Sequence, residues 1–579
     1  MPPDGCSVNQ FWTSYARGVT SPPEFSRVPE TPYSYDGTAV ECLAEALAAV
    51  DFSYEGILSL LGDGPFEAMV REQVVPAKHR IRQILSGGAC AKPGQRRLAG
   101  VVDFFMLGRA TSAEALEASL GEGAYDVLDR LNLLIPESAP ADQSSSMFRA
   151  AFDLRPHSAD DGTDLWVVSD LGAHQTDGVL PRDYVLGVGQ ASLTLAQFTE
   201  RRPVDKALDL GTGCGIQVFH LLGHCRHVTA TDISSRALGI TRFNLVLNAP
   251  ALGIDPDNLE QRVSLRLGSL LEPVQGDRFD LVVSNPPFVI TPRSESEGEN
   301  DRFTYRDGGL PGDDIVSTLV RRIPQVLNRG GRAQMLGNWE ILEDAHDETG
   351  KQPWDLRPRQ WLPEGCEAWF IQREETSPEQ YAETWLRDAS QNRDPRAFEE
   401  AYLDYMRDFS TRGVAAIGFG MIWLRRPAGT PSVLRFEKIE HPIQQPIAPF
   451  VTRAVETQDS LAPLSETALR ASHLAVADDV TEERHQRPGS EHPGVILLRQ
   501  GAGLRRTELL STEAAGFVSA CDGELAAGQI IDALAALLEW DGPDASAALL
   551  SHVRGMIEGG FLDFLDAGWT SAPQEKWVG

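Results

Sequence analysis

The sequence predicts an α/β protein built around a parallel sheet of seven strands, with smaller, mainly helical modules before and after it. From about residue 203, apolar runs of four to seven residues alternate with helical segments, which is typical of βαβ units. Residues 39–134 instead have the spacing of short amphipathic helices, and the clearest pattern beyond residue 432 is again helical. At 579 residues the chain is long enough for three or four domains.

The composition is that of an ordinary soluble protein. Hydrophobic residues make up 42% of the chain and charged residues 23%, which is enough to bury a core. No apolar run reaches the roughly 18 residues of a membrane-spanning helix. The first residues do not resemble a secretory leader, so we expect a cytoplasmic protein. The seven cysteines are scattered without a C-x-x-C pair, and we interpret them as reduced thiols rather than zinc ligands.

The net charge is strongly negative. The chain has 52 basic and 83 acidic residues, which gives a net charge of -31 at pH 7. Such a charge repels a phosphate backbone unless a local basic patch overrides it. The balance therefore favours a protein or peptide as the macromolecular substrate and leaves RNA possible.

Changes in composition divide the chain into four predicted segments. A Pro-rich lead precedes the first helical pattern, and a second Pro-rich stretch, RRPAGTPS, follows the last apolar run of the sheet. The segments are an N-terminal extension (1–36), a helical, winged-helix-like module with a hairpin (37–170), the sheet-containing core (171–428) and a C-terminal accessory module (429–579).

The two outer modules carry different local signals. In the first, the β-rich runs MFRAAFDLRPH and DLWVVSDL flank SADDGT, which suits a hairpin, and helices followed by a hairpin indicate a winged-helix-like module. In the second, ADDVTEERHQRPGSEHPG is predicted to be flexible. The stretch LLSTEAAGFVSACDGELAAGQIIDALAALL is predicted to form helices around a turn at Asp522-Gly523, so this small module is expected to be mainly helical.

Seven apolar runs in the core have the length and composition of sheet strands. They are VDKALDL, HVTATDI, RVSLRL, FDLVVSN, RAQMLGN, EAWFIQ and VAAIGFGMIWLRR. A long acidic insert between the last two runs has the spacing of two helices. The turn N-R-G-G at residues 328–331, before the fifth strand, is given a structural role only.

A glycine-rich turn follows the first of these strands. In ALDLGTGCGIQVFHL the three glycines stand between an apolar strand and a helix, where the missing Cβ atoms let the backbone approach a ligand closely. A G-x-G-x-G turn alone is a weak signal. Asp232, which ends the next strand, strengthens it, because a carboxylate there can accept hydrogen bonds from both hydroxyls of a ribose. The pattern favours a nucleoside cofactor; Asp209 is interpreted as holding the loop, binding the cofactor, or both.

These residues closely resemble the first two motifs of class I methyltransferases. D-L-G-T-G-C-G corresponds to the first motif and Asp232 to the acidic second motif. The resemblance implies a Rossmann-like, seven-stranded methyltransferase core with S-adenosyl-L-methionine as the cofactor. It also implies a set of cofactor-binding residues: Asp209, Gly211, Thr212, Gly213, Gly215, Asp232, Ile233, Gly268, Ser269, Leu270 and Asn285.

The fourth strand leads into the predicted catalytic residues, Asn285, Pro286, Pro287 and Phe288. The prolines fix φ and remove two backbone donors, so the Asn285 side chain and the Pro286 carbonyl can be presented as fixed acceptors. Two acceptors can hold both N–H groups of an amide or exocyclic amine and direct its nitrogen at a methyl donor, with Phe288 stacked on the planar group. An isolated N-P-P could simply end a strand, but its position after the fourth strand favours the catalytic interpretation.

The tetrapeptide resembles the N-P-P-[YF] motif of enzymes that methylate the glutamine side chain of release factors, or the exocyclic amine of adenine or guanine. Tyr is usual at the fourth position in the release-factor enzymes, whereas Phe is frequent in ribosomal RNA guanine-N2 enzymes. Phe288 therefore leaves the acceptor open between a protein and an RNA.

Three further features are less informative. L-P-R-D at residues 180–183 precedes the first strand, where related enzymes close over the cofactor, and a plain linker is the alternative. Y-R-D-G-G at residues 305–309 resembles the substrate-side glycine loop of glutamine methyltransferases, or is a solvated surface loop. No metal is expected, because four histidines lack the spacing of a metal site and are interpreted as core or surface residues: His174, His220, His224 and His227.

Three functions are compatible with these patterns. The first is an N-methyltransferase for a planar nitrogen of a protein or RNA, with the outer modules holding the substrate. The second is a tailoring methyltransferase for a peptide or small-molecule natural product, and the third a non-catalytic cofactor-binding scaffold. The intact glycine loop, Asp232 and Asn285 argue against the third. The helical front, D-Y-V-L-G and A-G-F-V-S-A-C-D-G-E together resemble long actinobacterial-type methyltransferases, which assigns no acceptor.

Overall fold

The structure, a computed structural model, describes residues 23–87, 92–137, 146–159, 162–176, 183–292, 309–343, 353–388, 395–540 and 542–565. The chain divides by its internal contacts into two compact units. The first unit comprises Met1–Ser192, Pro203–Val326 and Ser377–Ala415, and the second comprises Leu193–Arg202, Leu327–Thr376 and Ala416–Gly579.

The first unit begins with seven helices and five strands. Amphipathic spacing explains the first helix: its buried side chains recur on one face from Ala39 to Leu47, and Asp36 caps its start by accepting a hydrogen bond from the Ala39 N–H. The elements are α1 (Gly37–Ala49), α2 (Tyr54–Leu61), α3 (Asp63–Val70), α4 (Val75–Leu85), α5 (Pro93–Phe105), β1 (Thr111–Ser112), α6 (Ala113–Leu120), α7 (Ala124–Arg130), β2 (Leu134–Glu137), β3 (Met147–Ala150), β4 (Asp153–Ser158) and β5 (Asp164–Ser169).

These five strands form two antiparallel arrangements. Strands β1, β3 and β2 form a sheet in that order, and β4 pairs with β5 as a hairpin, which confirms the hairpin predicted around SADDGT. The run MFRAAFDLRPH is not one strand, however. Its first half, β3, pairs with β2, and its second half, β4, pairs with β5, with a bend at residues 151 and 152 between them. The apolar content of a sequence run does not show that its two halves pair with different strands.

Four parallel strands follow in the first unit, after a helix at residues 190–198 whose larger part belongs to the second unit. Their order in the sheet is β9-β6-β7-β8, and each neighbouring pair is parallel. The order requires helical crossovers, as the alternation of apolar runs and helical segments predicted. The elements are α8 (Gln190–Phe198), β6 (Val204–Leu210), α9 (Ile216–Leu222), β7 (Cys225–Asp232), α10 (Ser235–Leu247), α11 (Ala249–Leu252), β8 (Val263–Leu267), β9 (Phe279–Ser284) and α12 (Asp314–Val326).

The next stretch completes the set of predicted strands. The elements are β10 (Leu327–Leu342), α13 (Leu356–Trp361), β11 (Glu367–Thr376), α14 (Pro378–Asp388), α15 (Pro395–Arg412), β12 (Val414–Arg425) and β13 (Leu434–Lys438). All seven predicted strands are therefore present, and the acidic insert forms the two predicted helices, α14 and α15. The second unit contains the strand order β13-β11-β12-β10, in which β11 runs antiparallel to β12 and parallel to β13.

The C-terminal part of the second unit is mixed rather than mainly helical. Two three-stranded antiparallel sheets, in the orders β18-β14-β19 and β15-β16-β17, accompany five helices. The stretch predicted to be flexible contains strand β15, and Asp522-Gly523 begins strand β18 rather than an isolated turn. The elements are α16 (Ala448–Leu461), α17 (Glu466–Ala471), β14 (His473–Val476), β15 (Val480–His485), β16 (Val495–Gln500), β17 (Thr507–Leu510), α18 (Thr512–Ser519), β18 (Asp522–Ala526), α19 (Ala527–Leu537), α20 (Asp544–Gly559) and β19 (Leu562–Phe564).

One continuous apolar core runs through the first unit. Its buried residues include Leu47 and Phe104 of the N-terminal helices together with Val228 of β7 and Phe243 of α10. The N-terminal helices and the parallel strands thus share one core, because the apolar residues of each pack against those of the other. Among the helices that the structure describes, none has the combined length and apolarity needed to cross a bilayer.

Candidate active site

Three neighbouring strands of the first unit end at the same edge of the sheet. In the parallel register, Leu210 of β6 lies opposite Thr231 of β7 on one side and Ser284 of β9 on the other. The Ser284 hydroxyl also donates to the Leu210 carbonyl at 2.8 Å. Neighbouring strands lie about 4.8 Å apart, so the residues that follow these three, the glycine loop, Asp232 and Asn285, converge on one edge.

The glycines of the loop have backbone conformations that other residues rarely adopt. Gly211, Gly213 and Gly215 have φ values of 77°, 58° and 88°. A Cβ built on Gly215 would lie 3.0 Å from the Thr241 Cγ2 atom, so this glycine is required by packing against α10. A Cβ on Gly211 or Gly213 would meet no atom within 4 Å. The first two glycines therefore border open space of the kind that a bound ligand needs.

The loop is held by backbone and side-chain hydrogen bonds. The Thr231 carbonyl accepts from the N–H groups of Gly211 and Thr212, each at 2.9 Å. One carboxylate oxygen of Asp232 accepts from the Gly213 N–H at 3.0 Å, and the Thr241 hydroxyl donates to the Gly213 carbonyl at 2.9 Å. The loop is consequently preorganised without a ligand, which lowers the entropic cost of binding one.

Asp209 lies beneath the loop rather than at its surface. Its side chain is 1% exposed, and one carboxylate oxygen accepts from the Thr212 hydroxyl at 2.7 Å. Burial raises the pKa of Asp209 to about 7, with the Thr212 hydrogen bond opposing the shift and the nearby Asp232 adding to it. These contacts support the loop-holding interpretation of Asp209.

We expect Asp209→Asn to make the ligand-free protein more stable at high pH. An ordinary aspartate has a pKa near 3.8, so the folded chain retains a proton on Asp209 that the unfolded chain has lost. Between those two pKa values the stability of the wild type therefore falls as pH rises, whereas asparagine cannot ionise. The difference in unfolding free energy, variant minus wild type, should therefore be larger at pH 8.5 than at pH 5 by roughly 2 kcal/mol.

Urea unfolding of the two proteins at the two pH values measures this difference. Bound cofactor must be removed first, because a ligand that binds only the folded state adds its own stabilisation. An equal difference between variant and wild type at both pH values would contradict the raised pKa.

Asp232 is placed to serve both the loop and a ligand. Its other carboxylate oxygen accepts from the Ser234 N–H at 2.8 Å, and the Ile233 N–H also lies against the carboxylate. A carboxylate has about four acceptor sites, so capacity remains for a hydroxyl. Burial raises the pKa of Asp232, and hydrogen bonds from backbone N–H groups oppose the shift. Next to it, the Ile233 side chain is 62% exposed, an unusual position for isoleucine that a planar ligand would cover.

The turn after β8 lies at the same edge as Asp232. The Gly268 N–H donates to the Asp232 carbonyl at 2.9 Å. Gly268 has φ 155°, and a Cβ there would lie 2.5 Å from the Pro273 Cγ atom, so packing against Pro273 requires this glycine. Ser269 and Leu270 complete the turn, in which Leu270 has φ 48°. The structure thus brings all predicted cofactor residues to one region, while the binding role of Gly268, Ser269 and Leu270 stays a prediction.

The N-P-P-F tetrapeptide presents an unsatisfied acceptor. The Asn285 side-chain oxygen is buried and has no hydrogen-bond partner among the described residues. The Pro286 carbonyl accepts from the Phe288 N–H at 2.8 Å, which occupies one of its two lone pairs and turns the chain tightly. Phe288 itself is half-buried. A buried carbonyl oxygen without a donor costs free energy, and such a cost is commonly retained at functional sites.

Sequence analysis did not identify Tyr381 as part of this region. Tyr381 lies on α14 in the acidic insert, is 1% exposed, and its hydroxyl accepts from the Ile290 N–H at 2.7 Å. Its ring packs edge-on against Phe409 of α15, with ring centroids 5.7 Å apart. The insert therefore fixes the backbone two residues beyond Phe288. The sequence carries an aromatic cluster in this insert, but nothing in it indicates the partner 91 residues earlier.

We expect Tyr381→Phe to slow turnover without weakening cofactor binding. The substitution leaves the buried Ile290 N–H without its partner, which costs roughly 1 to 3 kcal/mol and loosens the segment after Phe288. If that segment positions the acceptor, kcat should fall about tenfold while the Kd for S-adenosylhomocysteine is unchanged. Tyr402→Phe, on the neighbouring helix α15, is the control. Equal losses in both variants, or a parallel loss of cofactor affinity, would contradict a positioning role.

A second feature that sequence analysis missed ties the hairpin to the glycine loop. Asn244 and Asn248 stand one turn apart on α10, and their side-chain amides pair with the backbone of Val168 and Trp166 in β5 at 2.7 to 2.9 Å. The Asn244 amide also donates to the Cys214 carbonyl in the loop at 2.8 Å. Both asparagines are fully buried. Their i, i+4 spacing, with Asn248 as the C-cap of α10, was the only sequence signal, and it does not identify their partners.

The remaining predicted features are only partly within the described residues. Asp183 is described, and its carbonyl accepts from the Arg236 guanidinium, which also forms a bidentate pair with Asp170. Residues 180–182 and 305–308 lie outside the described residues. Of the four histidines, His220 contacts His157 at 3.3 Å and His227 contacts the Ser264 hydroxyl at 3.0 Å. The described part of the chain holds no group of three or more His, Cys, Asp or Glu suited to a metal ion.

Comparison with known proteins separates the chain into recognised parts. The family profile described as methyltransferase small domain matches residues 178–298, and a profile described as a domain of unknown function, DUF7059, matches residues 49–143. The first of these ranges contains the glycine loop, Asp232 and the N-P-P-F tetrapeptide. The second contains most of the helical front.

Three curated relatives match the same region. The ribosomal protein uL3 glutamine methyltransferase of Bradyrhizobium diazoefficiens is 29% identical over 29% of this chain and 54% of its own length. The release factor glutamine methyltransferase of Koribacter versatilis is 31% identical over 29% of this chain and 58% of its own length. The ribosomal RNA small subunit methyltransferase C of Salmonella arizonae is 28% identical over 32% of this chain and 44% of its own length.

The chain thus spans about half the length of the curated relatives that it matches. The matched region is the part of the first unit in which β6, β7 and β9 end together at the glycine loop, Asp232 and Asn285. The match at residues 178–298 includes all three of these groups. The profile described as methyltransferase small domain therefore matches the part of this chain that contains the candidate active site.

Proposed function

We propose that the chain is an S-adenosylmethionine-dependent methyltransferase that methylates a planar nitrogen, an amide or an exocyclic amine, of a protein or an RNA. The observation that carries the proposal is the buried side-chain oxygen of Asn285, at the strand end next to the glycine loop, which has no hydrogen-bond partner in the described part of the chain. A hydrogen-bond acceptor that lacks a protein donor at this position can accept a hydrogen bond from an N–H group of a ligand.

The residues present fit the cofactor. The open space beside Gly211 and Gly213 admits the methionine and ribose portion, the free lone pairs of Asp232 suit the ribose hydroxyls, and the exposed Ile233 suits the face of adenine. S-adenosylmethionine supplies a methyl group attached to a positively charged sulfur. The protein's contribution is to hold that group at the edge where Asn285 also lies.

The chain's own residues would position and desolvate the nitrogen. Its two N–H groups would donate to the Asn285 side-chain oxygen and to the remaining lone pair of the Pro286 carbonyl, while the Phe288 ring covers the planar group. Held this way, the nitrogen lone pair is turned towards the methyl donor rather than delocalised. A strong base is not required, because the nitrogen becomes acidic once it is alkylated, and its proton can pass to water.

The curated relatives support a macromolecular acceptor. Two of them are named for glutamine in a ribosomal protein or a release factor, and the third for ribosomal RNA. All three names concern macromolecules of translation. We therefore propose a macromolecular acceptor for this chain as well, with the modules outside residues 178–298 helping to hold it.

Transfer of a labelled methyl group tests the proposed function. Purified protein and labelled S-adenosylmethionine are incubated with host lysate, which is then separated into protein, RNA and small molecules, with Asn285→Ala in parallel. Label in protein or RNA that depends on Asn285 is the expected result. Label confined to small molecules would replace the macromolecular acceptor by the tailoring reaction, and cofactor binding without any transfer would overturn the enzymatic function.

A further inference from the structure

A strongly basic stretch lies in the helical front of this acidic protein. Residues 71–97 contain seven lysines and arginines and a single acidic residue, Glu72. The chain as a whole carries a net charge of -31. The stretch forms α4 and the start of α5, two helices that pack against each other in the first unit. Positive charge is therefore concentrated on one pair of helices.

Four cations of this helix pair are exposed to solvent, and a fifth, Lys78, is half-buried. Helix α4 buries Ala77, Ile81 and Ile84 on one side. Arg80 and Arg82 are exposed on its remaining surface, and Lys92 and Arg96 are exposed at the start of α5. We call Lys78, Arg80, Arg82, Lys92 and Arg96 the α4–α5 basic surface. Within the described ranges, no carboxylate lies within ion-pair distance of any of these five residues.

The surrounding segments have the opposite charge. Residues 98–137 contain seven acidic residues and only two arginines. Both arginines have carboxylate partners, since Arg109 pairs with Asp103 and Arg130 pairs with Asp36. The five cations of the α4–α5 basic surface form no such ion pair among the described residues, and only Asp103 is near enough for Arg82 and Lys78 to oppose the rise in its pKa. The positive charge of this surface is therefore incompletely balanced by its own neighbours.

We propose that the α4–α5 basic surface binds the phosphate backbone of RNA. Phosphate contacts by lysine and arginine supply most of the sequence-independent affinity for nucleic acids, and a local basic surface can act within a chain of opposite net charge. Under the proposed function, the bound RNA is part of the methyl-accepting substrate or of the particle that contains it. The inference rests on the proposed function for this point alone.

The character of the surface favours RNA over an acidic protein. Three of the five cations are arginines, whose planar guanidinium groups match phosphate oxygens in a bidentate manner. Between residues 78 and 83, every exposed side chain of α4 is polar or charged, with His79 and Gln83 on either side of the two arginines. The exposed apolar residues of α4, Val75 and Leu85, lie at its two ends. A protein interface ordinarily has an apolar centre depleted of charge, and this part of α4 lacks one.

Fluorescence anisotropy with a labelled single-stranded RNA of about 20 nucleotides tests the proposal in the full-length protein, without methyl transfer. The test variant is R80Q/R82Q/R96Q. We expect its affinity to be at least about tenfold lower at 0.1 M salt, and its dependence of log K on log salt to be shallower by about two. All three positions are exposed, and the midpoint of thermal unfolding verifies that the variant is folded.

Two control variants distinguish this surface from the remaining basic regions of the chain. R407Q/R453Q/R484Q removes the same charge from exposed arginines that are paired with acidic neighbours, and it should bind RNA like the wild type. K206Q/R226Q alters a cavity of about 520 Å³ at the opposite ends of the parallel strands, which is the competing basic site. It should also leave binding unchanged.

Three results would overturn the proposal. The first is wild-type affinity in R80Q/R82Q/R96Q, and the second is an equal loss in either control variant. The third is competition by polyglutamate as strong as that by RNA of equal charge, which would assign the surface to an acidic protein. Because binding is measured without methyl transfer, failure of the proposed enzymatic function does not affect these outcomes.

Discussion

An Asn285→Ala variant is expected to bind cofactor normally and to lose nearly all methyl transfer. Removing the side-chain oxygen leaves one N–H of the acceptor without its partner at the point where the nitrogen must be aligned with the methyl group. Loss of a single such contact in an active site typically costs about 100-fold or more in turnover. Single-turnover transfer from labelled S-adenosylmethionine, together with the Kd for S-adenosylhomocysteine, separates the two effects.

The stability of this variant provides an independent measurement. The Asn285 oxygen is buried and no residue that the structure describes donates to it, so removing it should leave the midpoint of thermal unfolding unchanged or raise it slightly. Loss of activity with retained or increased stability is the pattern of a residue kept for function. Asn285→Asp, which keeps an acceptor oxygen, should retain more turnover than the alanine variant. Full activity in Asn285→Ala would remove Asn285 from the mechanism.

An Asp232→Ala variant is expected to weaken cofactor binding roughly 10- to 100-fold. The variant would lose the charge-assisted hydrogen bonding of the carboxylate to the ribose, and a net loss of roughly 1.5 to 3 kcal/mol corresponds to this range. Isothermal titration with S-adenosylhomocysteine measures the change. The same carboxylate also holds the Gly213 N–H, so a weaker Kd alone would not distinguish a lost ribose contact from a disturbed loop.

A cofactor analogue without the 2′-hydroxyl makes that distinction. The wild type should bind the 2′-deoxy analogue of S-adenosylhomocysteine more weakly than the parent compound, and Asp232→Ala should no longer discriminate between the two. This is the logic of a double-mutant cycle, with the ligand as the second partner. If the variant discriminates as strongly as the wild type, Asp232 acts only by holding the loop.

The sequence predicted the strands of the core well because their signals are local. Each strand is an apolar run with a recognisable boundary, and the glycine turn, Asp232 and Asn285 stand at strand ends that a parallel sheet must bring together. The convergence of these groups follows from strand order alone. Positive φ at Gly211 and Gly213 likewise agrees with the presence of glycine there.

The predictions were least complete where structure depends on distant partners. Strand β15 lies in a charged, Pro- and Gly-containing stretch, and it is stabilised by pairing with β16, which local composition does not reveal. The division of MFRAAFDLRPH between two partners has the same origin. Tyr381 and the Asn244–Asn248 pair were missed because the sequence around a residue does not show which remote segment it hydrogen-bonds.

The anchoring of Ile290 by Tyr381 separates two kinds of evolutionary change. The groups that would contact the cofactor lie within residues 209–285, whereas the hydroxyl that fixes the chain beyond Phe288 comes from an insert 91 residues later. Substitutions in α14 and α15 can therefore alter how an acceptor is presented while the glycine loop and Asp232 stay as they are. Proteins with this arrangement can therefore come to accept different substrates while all of them keep the same methyl donor.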